Sequence, residues 1–341
     1  MKTVDLRSDT VTMPNEPMLE AMFSAKVGDD VFDEDESITA LEEKVAGMFG
    51  KESAVFCPSG TMTNQIAIKA HVAPGQEIIC DKTAHIYLYE GGGIAAIAGA
   101  SARLIHGERG KITPDDILNN INDPDDFHCP LTRLVSIENS INKGGGGYYT
   151  LEEMQALSNV CRDRGLIFHL DGARIFNAIA EIQCKTEETG ALFDSISICM
   201  SKGLGAPVGS LLLGDKGFIH QARRNRKQMG GGMRQAGYLA AACSYALENN
   251  VERLRDDHRR AKELGSVLKS LPYIDRVNPI QTNMVFFRLS DDIPDHVFLA
   301  KLKEQDVLAI SLVAQSVRMV THLDIDDEMI EYTTKVLKGL L

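Results

Sequence analysis

No CxxC pair and no Cys/His cluster at metal-ligand spacing occurs in this chain, although it holds seven cysteines. Scattered and odd in number, they imply neither a disulfide framework nor a zinc site. A basic block is missing too: 36 Lys and Arg stand against 48 Asp and Glu, a formal charge of −12. That balance is the reverse of a nucleic-acid binder's. The densest basic run, "ARRNRK" at 222–227, is expected on a solvated helix face. No window approaches the roughly 18 uncharged apolar residues of a membrane helix. "MKTVDLRSDT" carries charge where a secretory signal has its apolar core, so a reducing cytoplasm is the expected location. The Walker pattern G-x-x-x-x-G-K-[ST] is absent, and "GLGAPVG" (203–209) has Val208 where G-x-G-x-x-G needs its third glycine. Nucleotide-binding readings, a nicotinamide dehydrogenase among them, lose their fingerprint.

What remains is a chain of 341 residues, 44% hydrophobic and 25% charged, as in globular proteins of one large or two smaller domains. Short apolar runs alternate with helical patterns. "SAVFCPS" (53–59), "EIICD" (77–81), "ARLIHG" (102–107), "TRLVSIEN" (132–139), "LIFHLDG" (166–172), "SISICMS" (195–201) and "GSLLLGD" (209–215) read as buried strands. "TLEE" at 150–153 spells a capping box with Thr150 at the N-cap. The alternation predicts an α/β domain around a mostly parallel sheet. Past residue 250 the pattern changes to a long charged helix, three strand-like pieces and two more helices, a smaller α+β unit. The expected organisation is an arm at 1–15, a large domain at 16–250 and a small one at 251–341. "GGGG" at 144–147 reads as a turn or flexible loop.

Four pieces could carry chemistry. Lys202 follows the apolar run "SISICMS"; an amine partly desolvated at a strand end is suited to a Schiff base, whereas a lysine leaving at a surface loop does nothing special. Asp171 ends the strand in "FHLDGARI", where parallel sheets bind ligands, although an isolated Asp there also reads as a helix N-cap. "PSGTMTNQ" sets Ser59, Gly60 and Thr61 between strand and helix, either an ordinary turn or a cradle of N–H groups for a phosphate. His85 in "DKTAHIYLYE" is a capping or core residue, or an acid–base group beside a cofactor. A lysine amine paired with a strand-end acid is what a pyridoxal-phosphate site requires.

With these pieces in chain order, the sequence resembles the low-specificity L-threonine aldolases, pyridoxal-phosphate enzymes of the aspartate-aminotransferase fold (fold type I). The resemblance runs from "DLRSDTVT" (5–12) through "PSGTMTNQ", "AHIYLYE", "HLDGARIFNA" and "SKGLGAPVGS" to "GGGMRQAG" (230–237) and "RMVTH" (318–322). It implies pyridoxal 5′-phosphate on Lys202, beside Ser201, with Asp171 at the pyridine nitrogen and His85 on the ring. It implies that Ser59, Gly60 and Thr61 hold the phosphate, joined by Arg234 from a neighbouring subunit of a homotetramer. Arg174 would sit beside the cofactor oxygen and, with Ser8 and Arg318, bind the substrate carboxylate, and His128 would touch its hydroxyl. A cation near Thr10 and Thr12 is left open, and no metal is assigned. The implied reaction splits β-hydroxy-α-amino acids into glycine and an aldehyde. A β-eliminating lyase and a cofactor-binding scaffold without catalysis are the alternatives. Phe32 and Asp33 stand where the family commonly has Tyr-Gly, and Ser140 and Ile141 replace a Thr-His pair, changes expected to bear on the β-substituent pocket.

Overall fold

All seven apolar runs are strands of one sheet. The computed structural model describes residues 3–340, so Met1 and Lys2 of the expected arm and Leu341 of the small domain lie outside the described residues. In chain order β1 is Val4–Asp5, β2 Ser53–Cys57, β3 Glu77–Asp81, β4 Ser101–Ile105, β5 Thr132–Glu138, β6 Ile167–Gly172, β7 Ser195–Cys199 and β8 Ser210–Gly214. The sheet order is β2-β8-β7-β6-β5-β3-β4. Strands β4, β3, β5, β6 and β7 pair in parallel, while β8 is antiparallel to both β7 and β2. With β8 alone reversed, β2 points the same way as the parallel set. Their carboxyl ends therefore share one edge, the place where such sheets bind ligands.

Helices cover the sheet, which explains why β3, β7 and β8 are buried along their whole length and read as continuous apolar runs. The helix Leu151–Asp163 opens with the expected capping box: Glu153 N–H donates to Thr150 Oγ1 at 3.2 Å and Thr150 N–H to Glu153 Oε2 at 2.7 Å.

The smaller unit contains β9 (Ile274–Val277), β10 (Met284–Leu289), β11 (Val307–Leu308), β12 (Ile310–Val313) and β13 (Ser316–Val320). Four of them form the antiparallel sheet β12-β13-β10-β9. The start of the arm belongs to this unit: β1 pairs in parallel with β11, and Val4 and Leu6 are buried with Leu264, Phe287, Phe298 and Leu302.

Two sequence expectations change. Half of the basic run 222–227 is turned inward rather than solvated. Arg226 is buried against Asp30 at 2.8 Å and donates to the Phe56 carbonyl at 2.7 Å, and Arg223 pairs with Glu42, whereas Arg224 and Lys227 stay exposed. Helical spacing puts these alternate cations on opposite faces. The expectation of a turn or flexible loop at 144–147 narrows to a buried turn, in which Gly145 N–H donates to the Asn142 carbonyl at 3.2 Å and Gly146 N–H to the Ile141 carbonyl at 2.9 Å. Arg109 donates to the Gly144 and Pro279 carbonyls (3.0 and 3.1 Å), and Thr282 Oγ1 donates to the Gly146 carbonyl at 2.8 Å. Gly146 has φ +71° and its missing Cβ leaves room for Thr282, so the run forms a seam between the large sheet and the β9–β13 unit.

Removing one partner of a buried ion pair typically costs roughly 3–5 kcal/mol, whereas an exposed substitution stays within about 0.5 kcal/mol. Urea unfolding of Arg226→Ala and Arg224→Ala should show that contrast, with a large loss for the first and almost none for the second.

Candidate active site

At the shared edge of the sheet a cavity of about 190 Å³ is lined by Ser59, Gly60, Thr61, His85, Asp171, Ser201 and Lys202, together with Thr10, Asn64, Ala173 and Cys199. Each expected side chain comes from a strand end. Ser59 caps the helix Gly60–His71 after β2, its hydroxyl accepting from Met62 N–H at 3.2 Å. That leaves the N–H groups of Gly60 and Thr61 at the positive end of the helix dipole without an intrahelical acceptor. Gly60 has to be glycine, because a Cβ would collide with Cys199 Sγ at the end of β7. His85 starts a short helix after β3, and Lys202 follows β7. The Lys202 ammonium has no carboxylate within 4.0 Å among the described residues. Its carbonyl accepts from Gly205 N–H at 2.8 Å and Thr12 Oγ1 at 3.3 Å, which ties the lysine turn to the arm.

Asp171 is not a helix cap: the next helix, Ile175–Ile182, has Arg174 at its N-cap position. The Asp171 carboxylate is buried and accepts from Ala173 N–H at 3.1 Å and from Asn64 Nδ2 at 3.0 Å. Asn64 also donates to Glu90 at 2.9 Å, and Glu90 meets His85 Nδ1 at 2.9 Å. Burial opposes a charge on His85, but the hydrogen bond to Glu90 and the fields of Asp171 and Glu90 win and raise its pKa. Behind them Glu138 accepts from His85 N–H at 3.3 Å and Asn142 N–H at 2.9 Å. Burial, then the charge of Asp171, pushes the Glu138 carboxyl up to about 7.

Arg174 lies beside the cavity, held by Asp9 through Nε (2.7 Å) and Nη2 (2.6 Å). Both are buried. Burial works against the Asp9 carboxylate, yet Arg174 holds it well below the ordinary range. Arg318 uses Nη1 on Asn142 Oδ1 and Nη2 on the Arg7 carbonyl, each at 2.9 Å, while its buried Nε has no partner. Burial, and then the neighbouring Arg174 charge, pull Arg318 down to about 10. Two guanidiniums thus face a region with one carboxylate between them, an arrangement that favours an incoming anion. Ser8 sits on the same stretch of arm, its Oγ accepting from Thr10 N–H at 3.3 Å and paired with Thr10 Oγ1 at 2.8 Å.

Two expected residues are not at this cavity within one chain. His128 is 74% exposed on an outer loop, where its Nδ1 meets Asp126 at 2.9 Å and its ring lies against the likewise exposed Phe127. Arg234 is also exposed and meets Asp29 at 3.4 Å.

The family pattern for beta-eliminating lyases matches residues 5–291. A low specificity L-threonine aldolase of Escherichia coli (strain K12) is 42% identical over 328 residues, with 96% of each chain covered. The chain belongs to the low-specificity L-threonine aldolases. A probable low-specificity L-threonine aldolase 2 of Arabidopsis thaliana is 40% identical, covering 97% of this chain and 95% of its own. The fold is shared with the solved threonine aldolase of Leishmania major, at a TM-score of 0.86 over 99% of both chains and 22% identity. A putative L-allo-threonine aldolase of Listeria monocytogenes has a TM-score of 0.81 at 23% identity, with 100% of this chain and 97% of its own covered.

The departures from the aldolase pattern fall into two kinds. Asp33 takes φ +57°, a left-handed conformation that glycine adopts freely and Asp tolerates, so the backbone survives the change; Phe32 beside it is 72% exposed. Ser140 and Ile141 are buried, and Ile141 lines a separate small void with Asp81, Thr83, Glu138 and Tyr149. They therefore lie behind Glu138, not on the wall of the Lys202 cavity. Residues missing from the sequence reading are Asp9, Asn64, Glu90 and Glu138. Asp9 and Glu90 stood inside quoted motifs, and the polar triplet Thr63, Asn64 and Gln65 in a buried helix was the available signal for the third.

Because Glu138 is raised from 4.5 to about 7, the native state keeps a proton that the unfolded chain releases between those values. Its contribution to stability is full below the lower value and is lost as pH rises through the upper one. Glu138→Gln removes this contribution, so between pH 4.5 and 7 the urea midpoint of the variant should decline less than that of the wild type.

Proposed function

We propose that this chain cleaves L-threonine, L-allo-threonine and related β-hydroxy-α-amino acids to glycine and an aldehyde, with pyridoxal 5′-phosphate as cofactor. The observation that carries the reading is the convergence of an unpaired Lys202 amine, a buried Asp171 carboxylate and the free first-turn N–H groups of Gly60 and Thr61 around one cavity. The donor set fits that cofactor. Lys202 would hold its aldehyde carbon and Asp171 its ring nitrogen. Ser59, Gly60 and Thr61 would hold the phosphate at the helix N-terminus, and the His85 imidazole would wall the ring. When bound, the cofactor supplies a conjugated pyridinium that takes up the electron pair of the broken Cα–Cβ bond.

The chain's own residues do the rest. Arg174 keeps Nη1 for the substrate carboxylate, since Asp9 occupies its other two nitrogens. Arg318 and Ser8 complete the clamp, a planar guanidinium being matched to a carboxylate. His85 removes the β-hydroxyl proton at Nε2: Glu90 takes Nδ1 and so fixes the tautomer that leaves Nε2 as the base. His128 has no part in the single-chain site. The phosphate end is open, with Ser59 and Thr61 exposed, which supports closure by Arg234 from a neighbouring copy in a homotetramer.

Protein mixed with pyridoxal phosphate should absorb in the visible and release glycine and acetaldehyde from threonine. Lys202→Ala should abolish both the absorbance and the cleavage, and full activity in that variant would sink the scheme. 2-Oxobutyrate and ammonia as products from threonine would move the assignment to β-elimination. Shared sites predict a further result: Lys202→Ala and Arg234→Ala, each feeble alone, should regain activity when unfolded together and refolded as mixed oligomers. Mixtures no better than the separate variants would exclude Arg234 from a partner's site.

A further inference from the structure

One set of buried polar residues plays no part in the scheme above. Asp171 is the near end of a line of hydrogen bonds that passes under the sheet edge. Asn64 Nδ2 donates to Asp171 Oδ2 at 3.0 Å and to Glu90 Oε1 at 2.9 Å. Its Oδ1 meets His169 Nε2 at 3.2 Å. His169 Nδ1 meets Ser195 Oγ at 2.8 Å, and Ser195 Oγ meets His71 Nε2 at 2.8 Å. Asn64, His169 and Ser195 are all buried. His71 ends the helix Gly60–His71 and stacks on Phe218 at 4.2 Å.

The direction of every bond follows from its acceptors. The Asn64 amide has its nitrogen against both carboxylates and gives one N–H to Asp171 and the other to Glu90. Its carbonyl then requires His169 to be protonated at Nε2. His169 Nδ1 must accept from the Ser195 hydroxyl, and Ser195 in turn accepts from His71 Nε2–H. Burial, the larger effect, holds His169 at about 3 and His71 at about 4, so both imidazoles are neutral and each offers one donor. All the hydrogens point toward Asp171.

Resting on the cofactor assignment above, we propose that His169 and Asn64 are positioning residues that keep the shared proton on the cofactor's ring nitrogen rather than on Asp171. Lined up head to tail, the bonds polarise one another and strengthen the last one, to the Asp171 carboxylate. An Asp171 carboxylate so supplied with donors is a weaker competitor for the ring proton. It is also fixed in rotation, with Oδ1 on Ala173 N–H and Oδ2 on Asn64. His169 and Asp171 are two apart on β6 and face the same helix, which is why one strand can carry both ends of the device.

The test uses holoenzyme reconstituted with cofactor labelled with 15N at the ring nitrogen. In wild type the nitrogen should resonate in the protonated range. His169→Leu removes the donor to Asn64: the resonance should move toward the unprotonated range, and kcat should fall about fivefold, as for a lost neutral hydrogen bond, with KM little changed. His169→Gln retains an N–H donor and should restore both. A loaded His169→Leu protein with a wild-type resonance and kcat would overturn the proposal. Should that variant fail to fold, the imidazole 15N spectrum of wild type decides: a neutral Nε2–H His169 supports the direction of the line, and an Nδ1–H or charged His169 overturns it. Wild-type protein that takes up no cofactor would overturn the assignment on which the proposal rests, and this shows before any variant is made.

Discussion

A carboxylate enclosed at the end of a sheet strand is the constraint to which the rest of the site answers. Leaving such a group unpaired costs several kcal/mol, and Asp171 is almost wholly enclosed. The protein meets this by turning Asn64 of the helix Gly60–His71 toward Asp171, with Thr63 beside it on Ser197 of the sheet and Gln65 on Glu90, against the usual preference for an apolar face. The same helix presents its first turn to the cavity. One element thus stabilises the acid and offers anion-binding N–H groups, which fixes the distance between the two ends of whatever binds there.

Charge is managed differently on the arm side. Arg174 and Asp9 form a closed pair, whereas Arg318 is braced by neutral acceptors, the Asn142 amide oxygen and the Arg7 carbonyl. Neutral bracing leaves its positive charge uncompensated. The Asn142 backbone is in turn held by Glu138, so the guanidinium on β13 is mechanically linked to the group that supports the His85 backbone. The clamp and the ring wall share a foundation although they come from different units.

Much of this was legible in the sequence because it is local. Strands buried on both faces leave unbroken apolar runs, and the polar residues that end such runs, Asp171 and Lys202, stand out against them. The glycine after Ser59 marks a close approach. Illegible features depend on pairing across the fold. Nothing around Asp9 says that its partner is Arg174, and "ARRNRK" looks solvated until Asp30 and Glu42 are brought to its inner face. The place of His128, outside the single-chain cavity, was illegible for the opposite reason. A motif match carries a residue type, but its reach depends on a loop whose path no local pattern sets. The glycine run was legible as a turn, but not its tight packing, which depends on Arg109 and Thr282 closing over it.

The N-terminal arm has a consequence for the order in which the molecule comes into being. β1 leaves the ribosome about 300 residues ahead of β11 (Val307–Leu308), its strand partner among the described residues, and the Arg7 carbonyl waits for Arg318. Ser8 and Asp9 hang from that attachment on one side and from Arg174 and the Lys202 turn on the other. The sheet and its acid–lysine pair can assemble while the chain is still being made. The proposed substrate clamp cannot, because its first piece is anchored to segments made about 300 residues later. A nascent chain therefore completes the proposed cofactor cradle before it completes the proposed amino-acid clamp.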